Sequence, residues 1–359
     1  MRVAIVAPLV TAIREPQRGG SQAFVADLAR GLVDRGHDVH VYAASGSAVA
    51  GVEVVDTGVD HRALEATLYR VSAGEARGVD AAEQAFARVY DAVRDGRYDV
   101  VHNHAFDAPA VALACGLRAP VVHTVHLPPD AAVARALAEA SRGDTAPTVA
   151  CVSAHQAEAW RRVVDVDAIL PPLVPTASIP FSATAGGGAL YAGRFSPEKG
   201  TAEAIEIARM AGVPLDVFGD PYDAAYARER IDPWRSREGV GIHAGVPRAR
   251  LWREMAAASV VLCPARWDEP FGMVAAEAQA CGTPVVAFAR GALGEVIADG
   301  TSGILVAPDD IQAAARAVGA ARSLSRTRCR EHAERELDLE RSLDAHERLY
   351  ENVGSRARG

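Results

Sequence analysis

Arg2-Val3-Ala4-Ile5-Val6-Ala7, then a loop containing Arg18-Gly19-Gly20-Ser21, then a helical pattern from about Gln22 to Arg35 closed by Gly36, then Val39-His40-Val41-Tyr42-Ala43: residues 2–43 carry the unit on which the fold turns. The first run is apolar for the length of a buried strand. Phe24, Leu28 and Leu32 recur every four residues and mark one apolar stripe of a helix. Gly36 stands where a helix commonly ends in a glycine, and a second short apolar run follows. Strand, helix and strand in that order make a βαβ unit, the building block of a parallel sheet.

The same alternation continues outward. Val52–Val55, Val100–His102, Val121–Val125 and Thr148–Val152 read as later strands of the first half. Residues 169–188 break the rhythm. Pro171, Pro172, Pro175 and Pro180 cluster there and Gly186–Gly188 follow, the composition of a domain linker. The alternation then restarts. Ala189–Ala192, Pro214–Phe218, Val260–Cys263, Pro284–Ala287 and Ile304–Val306 read as strands, and about Ala202–Ala211, Pro247–Ala258 and Met273–Ala280 as helices. The tail from Thr327 to Asn352 reads as one charged helical stretch, with Leu337, Leu339, Leu343, His346 and Leu349 as packing points. The expected fold class is therefore α/β: two Rossmann-like domains, residues 1–172 and 173–339, facing a central cleft. Open parallel sheets bind ligands at the carboxyl ends of their strands, so the loops there should carry the chemistry.

Composition narrows the function. The 359 residues suit two domains, and 49% apolar content can fill two cores. A net charge of −8 with no basic run offers no nucleic-acid footprint. No helix pairs a Lys/Arg face with a Trp/Phe face, and no apolar run approaches the roughly 20 residues of a membrane span. The opening apolar run is only strand-length, so no signal peptide is expected. The five cysteines are scattered, with no Cys-x-x-Cys, which fits a reducing cytoplasm and core positions for most of them. Lys199 is the single lysine, and it lies in a loop flanked by Gly193 and Gly200.

Four clusters carry candidate chemistry. In Trp267-Asp268-Glu269-Pro270-Phe271-Gly272-Met273-Val274-Ala275-Ala276-Glu277, a strand gives way to a helix. The free N–H groups of Gly272, Met273 and Val274 at that helix start suit a phosphate. Glu277 can accept two hydrogen bonds from a ribose diol, and Glu269 can grip sugar hydroxyls. The bland alternative is an ordinary βα unit with an acid near a helix start. In Gly193-Arg194-Phe195-Ser196-Pro197-Glu198-Lys199-Gly200, Arg194 offers a fork and Lys199 a point charge to a diphosphate. The alternative there is a capped helix, Ser196 as N-cap and Pro197 at N1. Gly19 and Gly20 allow close approach to phosphate or sugar; the alternative is a flexible loop with Ser21 as N-cap. The segment is not Gly-x-Gly-x-x-Gly, which counts against a dinucleotide oxidoreductase. Finally His102, His104, His123 and His126 end two strands. No acidic or cysteine ligand joins them at zinc spacing, so no metal is expected there.

Together these residues resemble the retaining glycosyltransferases of GT-B architecture, family 4 type. Glu269 and Glu277 match that family's E-x7-E motif, and Gly193–Gly200 its donor-phosphate segment. Gly19-Gly20, Asp99–His104, Val122–His126 and Glu277–Ala287 fit it in order along essentially the whole chain. The resemblance implies Arg194 and Lys199 on the donor diphosphate, Glu277 on ribose, and Glu269 with the Phe271–Val274 backbone on sugar and phosphate. It implies Gly19 and Gly20 near the donor, His126 orienting sugar or acceptor, and the base near Gly219 and Val246. His104 is placed on the acceptor side, and a C-terminal helix of about 340–359 packs back on the first domain. The implied reaction transfers a hexose from a nucleotide-sugar substrate, UDP-linked by expectation, to a soluble small-molecule or natural-product acceptor. It needs neither metal nor cofactor, nor any nucleic-acid partner. The chain departs from the family at its linker, where Leu170-Pro171-Pro172-Leu173-Val174-Pro175 stands in place of an Asn-Gly segment. A nucleotide-sugar epimerase and a non-catalytic nucleotide-sugar module are the alternatives. A phosphorylase with pyridoxal phosphate on Lys199 does not suit so short a chain.

Overall fold

A computed structural model of the chain describes residues 1–60, 77–143 and 146–356. Residues 357–359 of the expected C-terminal helix lie outside the described residues. The chain divides into two compact units: Met1–Pro172 with the segment from Glu340 onward, and Leu173–Leu339.

Unit 1 is built on strands β1 (Arg2–Val6), β2 (Asp38–Ala43), β3 (Glu53–Asp56), β4 (Val100–Asn103), β5 (Val121–Val125), β6 (Thr148–Cys151) and β7 (Ala168–Ile169). Among the described residues they form one parallel sheet in the order β3-β2-β1-β4-β5-β6-β7. β1 lies centrally, Val3 in register with Val39 on one side and Val100 on the other, and Val3 to Val6 are fully buried. A strand covered on both faces needs a continuous apolar run rather than alternation, as this sequence has. Among the described residues before the linker, its α-helices are α1 (Gly20–Asp34), α2 (Arg77–Asp95), α3 (Ala108–Ala112), α4 (Ala131–Ala140) and α5 (Ala154–Trp160).

Phe24, Leu28 and Leu32 of α1 are fully buried. Gly36 has φ +84°, and the Gly36 and His37 amides donate to the Val33 and Leu32 carbonyls, which satisfies the helix's last acceptors. The other end differs from expectation. Gly19 is the N-cap, and the Ser21 hydroxyl turns to Gln22 Oε1 at 3.1 Å. Helical geometry begins two residues early, at Gly20, and a Cβ on Gly19 would stand 2.6 Å from Gln22 Oε1.

Unit 2 repeats the plan with β8 (Ala189–Ala192), β9 (Leu215–Phe218), β10 (Val240–His243), β11 (Val260–Cys263), β12 (Val285–Phe288) and β13 (Gly303–Val306). Its parallel order is β10-β9-β8-β11-β12-β13. The main helices are α6 (Thr201–Ala211), α7 (Arg248–Ala257), α8 (Met273–Ala280), α9 (Leu293–Val296), α10 (Ile311–Ala321) and α11 (Arg326–Glu336). Ile205, Val217, Leu262, Phe288 and Val318 meet in one core.

The C-terminal tail is two helices, not one: α11 ends at Glu336, and α12 runs Leu339–Arg356. The break has a tertiary cause. Val174 donates to the Leu337 carbonyl at 2.9 Å and accepts from the Leu339 amide at 2.9 Å, a bridge that holds Asp338 extended. α12 packs within unit 1. Leu343, His346 and Tyr350 are buried, and Leu349 is only half-buried. A Cβ on Gly31 would lie 2.6 Å from Leu343 Cδ1, so α1 and α12 touch through a glycine. Arg35 pairs with Glu340, with Asp344 at 2.8 Å and with Glu347. No described helix is long and apolar enough to cross a membrane.

Candidate functional site

In unit 2 the strand order reverses between β8 and β11, and a ligand crevice forms where the loops leaving two such strands part. The loop after β8 holds Arg194 and Lys199; the loop after β11 holds Glu269. The structure joins them: Lys199 Nζ donates to Glu269 Oε2 at 2.9 Å and to Oε1 at 3.1 Å. The two side chains keep 22% and 17% of their exposure, so water or a ligand can reach the pair. The Trp267 ring lies 4.5 Å below the ammonium, and its Nε1–H donates to Glu269 Oε2 at 2.8 Å. Arg194 lies 4.3 Å over the Tyr222 ring and 3.5 Å from Glu198.

Glycines set this geometry. Gly200, φ +72°, ends a single 3-10 turn over Pro197–Lys199; a Cβ there would stand 1.9 Å from the Pro264 carbonyl oxygen, so the two loops pack backbone to backbone. Pro197 does sit at N1 of that turn. Ser196 is the N-cap residue of that turn by position, but its hydroxyl bonds Glu198 Oε1 at 2.6 Å rather than a backbone amide, and the following α6 is capped by Gly200. Gly219 follows β9, and a Cβ on it would stand 1.9 Å from the Gly193 carbonyl oxygen. Val246, partly exposed, lies in the loop after the neighbouring β10. These positions, expected near a base, thus leave the same sheet edge as the Arg194–Lys199 loop.

Gly272, φ +104° and ψ +53°, is the N-cap of α8. Phe271 is buried, and Met273 and Val274 are partly exposed at the helix start. Glu269 is braced from behind, since its carbonyl accepts the Ala292 amide at 2.8 Å. Glu277, one turn into α8, is buried at 5% exposure. Arg248 Nε and Nη2 both donate to Glu277 Oε1, at 3.0 and 2.8 Å.

Unit 1 ends its strands differently. Gly19 and Gly20 open α1. Beyond β4 and β5, His104 Nδ1 and His126 Nε2 share a hydrogen bond of 2.9 Å. His102 bonds the Tyr350 hydroxyl at 2.6 Å and the Thr124 hydroxyl at 2.7 Å. Its ring centroid is 4.0 Å from that of His104. His346 Nδ1 donates to the Ser342 carbonyl at 2.6 Å, and His123 Nδ1 accepts from Asn103 at 2.9 Å. Burial pulls all five imidazoles down: His126 to about 3, His123 and His346 to about 4, His102 and His104 well below the usual value, with neighbouring imidazoles adding to the shift at His102, His104 and His126. They are neutral at neutral pH. Among the described residues no group of three or more His, Cys, Asp or Glu is arranged to hold a metal ion.

Two partners at the site escape sequence reasoning. Trp267 lies inside the motif that singles out Glu269, and its spacing of two gives a local signal. Arg248 has none: it is 29 residues from Glu277, one arginine among many, and only the packing of α7 against α8 brings them together.

Residues 187–336 match the family described as glycosyl transferases group 1, and residues 18–177 match glycosyltransferase family 4. A D-inositol 3-phosphate glycosyltransferase of Xylanimonas cellulosilytica is 30% identical, with 89% of this chain and 88% of that protein aligned. One from Mycolicibacterium smegmatis is 31% identical over 86% of this chain and 81% of its own length. Among solved structures, sucrose-phosphate synthase from Thermosynechococcus elongatus superposes with a TM-score of 0.78 at 20% identity, covering 99% of both chains. Anabaena Alr3699/HepE in complex with UDP-glucose gives 0.74 at 18%, covering 99% of this chain and 100% of that one. Two parallel Rossmann-like sheets of this order are the GT-B fold. With both halves matched in sequence and full-length relatives at this identity, the chain belongs to the family 4, group 1 glycosyltransferases.

Proposed function

We propose that this enzyme transfers a hexose from a UDP-linked donor to a hydroxyl of a small soluble acceptor, with retention at the anomeric carbon and without a metal. One observation carries the reading: Lys199 reaches Glu269 at 2.9 Å, so the cation meets the loop that leads into the amide-rich start of α8, which supports a diphosphate and its sugar binding there. Arg194 and Lys199 take up the charge that grows on the departing diphosphate, and the Gly272, Met273 and Val274 amides add to it. Glu269 accepts from sugar hydroxyls, Glu277 from the ribose, and Gly219 and Val246 border the base. In unit 1, Gly19 and Gly20 serve the donor, and His126, steadied by its bond to His104, orients the sugar or acceptor.

The acceptor hydroxyl approaches the face that the nucleotide leaves. The anomeric carbon–phosphate oxygen bond breaks, the new carbon–oxygen bond forms, and the acceptor proton passes to a donor phosphate oxygen. No side-chain nucleophile is used, so catalysis is positioning and leaving-group stabilisation. Lys199 and Arg194 take the charge-neutralising part that a metal plays elsewhere. The relatives named for inositol 3-phosphate make polyol phosphates the first acceptors to try, ahead of other metabolites and natural products.

The test is a thermal-shift screen of UDP-, GDP- and ADP-sugars, followed by mass spectrometry of products from a pool including inositol phosphates, with and without EDTA. The anomeric proton coupling of the product reports stereochemistry. A product of inverted configuration, loss of turnover in EDTA, or donor conversion without acceptor would overturn the corresponding part.

A further inference from the structure

We infer that Arg248 is a positioning residue that lets Glu277 select a ribose over a deoxyribose nucleotide; this rests on the reading of Glu277 as the ribose partner. Arg248 is the first residue of α7, 8% exposed, its guanidinium 4.8 Å over the Trp252 ring. Both of its bonds to Glu277 fall on one oxygen, Oε1. A planar fork held against a ring on one side and a carboxylate on the other has little freedom, so it fixes the plane of that carboxylate. The two bonds do not consume Oε2.

Two features argue for a role beyond packing. A buried ion pair contributes little net stability, since the cost of desolvating both charges offsets their attraction. Glu277 also sits one turn into the helix whose start is read as the diphosphate site. Without Arg248 that carboxylate could turn about its side chain, and two hydroxyl groups would meet no fixed acceptor. Arg248 holds its plane through both bonds to Oε1. Glu277 then presents a fixed carboxylate to the ribose hydroxyls.

Calorimetric binding of nucleoside diphosphates, with whichever of UDP, GDP and ADP the wild type binds, reads this without an acceptor. The measured quantity is the ratio of Kd values for the 2′-deoxy or 3′-deoxy form over the ribo form. A hydrogen bond to a charged group corresponds to a ratio of about 10 to 100 in the wild type. Arg248→Met weakens the ribonucleotide by a similar factor and leaves the deoxynucleotide within about threefold, so the ratio falls towards one. Arg248→Lys, which keeps the charge without the fork, gives an intermediate ratio; it carries the test by itself if Arg248→Met does not fold. Glu277→Gln separates the two levels. If its ratio equals that of the wild type, Glu277 does not read the ribose and the underlying assignment fails. If Glu277→Gln lowers the ratio while the Arg248 variants keep it, or weaken both nucleotides equally, the role of Arg248 is overturned.

Discussion

The two units share the order of six strands, to which unit 1 adds a seventh at its edge, yet they furnish the carboxyl ends of their strands with opposite chemistry. Unit 1 places neutral imidazoles there, bonded to one another and to hydroxyls, and it buries them. Unit 2 places ion pairs there: Lys199 with Glu269, Arg194 with Glu198, and Arg248 with Glu277. Burial has a different consequence for each kind of group. An imidazole can shed its proton and be buried neutral, but arginine cannot. The cations of unit 2 must therefore be paired or left partly wet, as Lys199 and Arg194 are at 22% and 26% exposure. A half-exposed pair can be rearranged by a charged ligand; a buried imidazole network holds its shape. The frame does not choose between these outcomes, and the side chains do.

Acid should separate the units most completely. The folded-state pKa values of five buried histidines of unit 1, His102, His104, His123, His126 and His346, lie below the unfolded value of about 6.5. Above that pH neither state is protonated and their contribution to stability is fully present. As pH falls, the unfolded chain binds protons that the folded one refuses, so stability drops by about 1.4 kcal/mol per pH unit for each such histidine until its folded pKa is reached. Between pH 6.5 and 4, hydrogen exchange read by mass spectrometry should show unit 1 opening while unit 2 keeps its protection. Among the described residues unit 2 has only an exposed His243 and a His332 bonded to the Val296 carbonyl. Simultaneous opening would break the contrast.

Next come the charges of unit 2. Lys199→Ala should lower kcat about 100- to 1,000-fold, the loss typical of removing one group that stabilises transition-state charge. The melting temperature should hardly move, because a partly exposed pair contributes little to stability. Glu269→Gln keeps the shape and removes the charge, and about a 10- to 100-fold loss is expected in the same transfer assay. Wild-type rates in both would remove the Lys199–Glu269 pair from the mechanism.

The smallest effects concern the backbone under the site. Gly200→Ala combines a positive φ with a Cβ 1.9 Å from the Pro264 oxygen and should cost about 3 kcal/mol, or roughly 6–12 °C in melting temperature. Gly212→Ala has a similar φ, +67°, with nothing within 4 Å, and should cost only about 1 kcal/mol. Equal losses at the two positions would mean that the close approach of the Lys199 loop to Pro264 is unimportant.

Much of the site is legible because it is local. Gly272 before Met273, and Lys199 just before Gly200, sit at strand-to-helix turns whose chemistry a short window displays. The misreadings share another cause. Ser21 and Ser196 have the right residue type for caps, but a neighbouring Gln22 or Glu198 takes the hydroxyl. The tail reads as one helix because nothing within it signals a stop; the bridge from Val174 supplies the break. Tyr350, absent from the expected packing points, anchors α12 through His102, 248 residues earlier.

The sequence by itself determined the alternation of strands and helices, the two halves, and the loops that bear Lys199, Glu269 and His126, because periodicity and turn chemistry act over a few residues. Only the tertiary structure decided which charges neutralise one another and which imidazoles lose their protons. Those outcomes depend on distance and desolvation between segments far apart in the chain, and neither quantity is written in any local stretch of it.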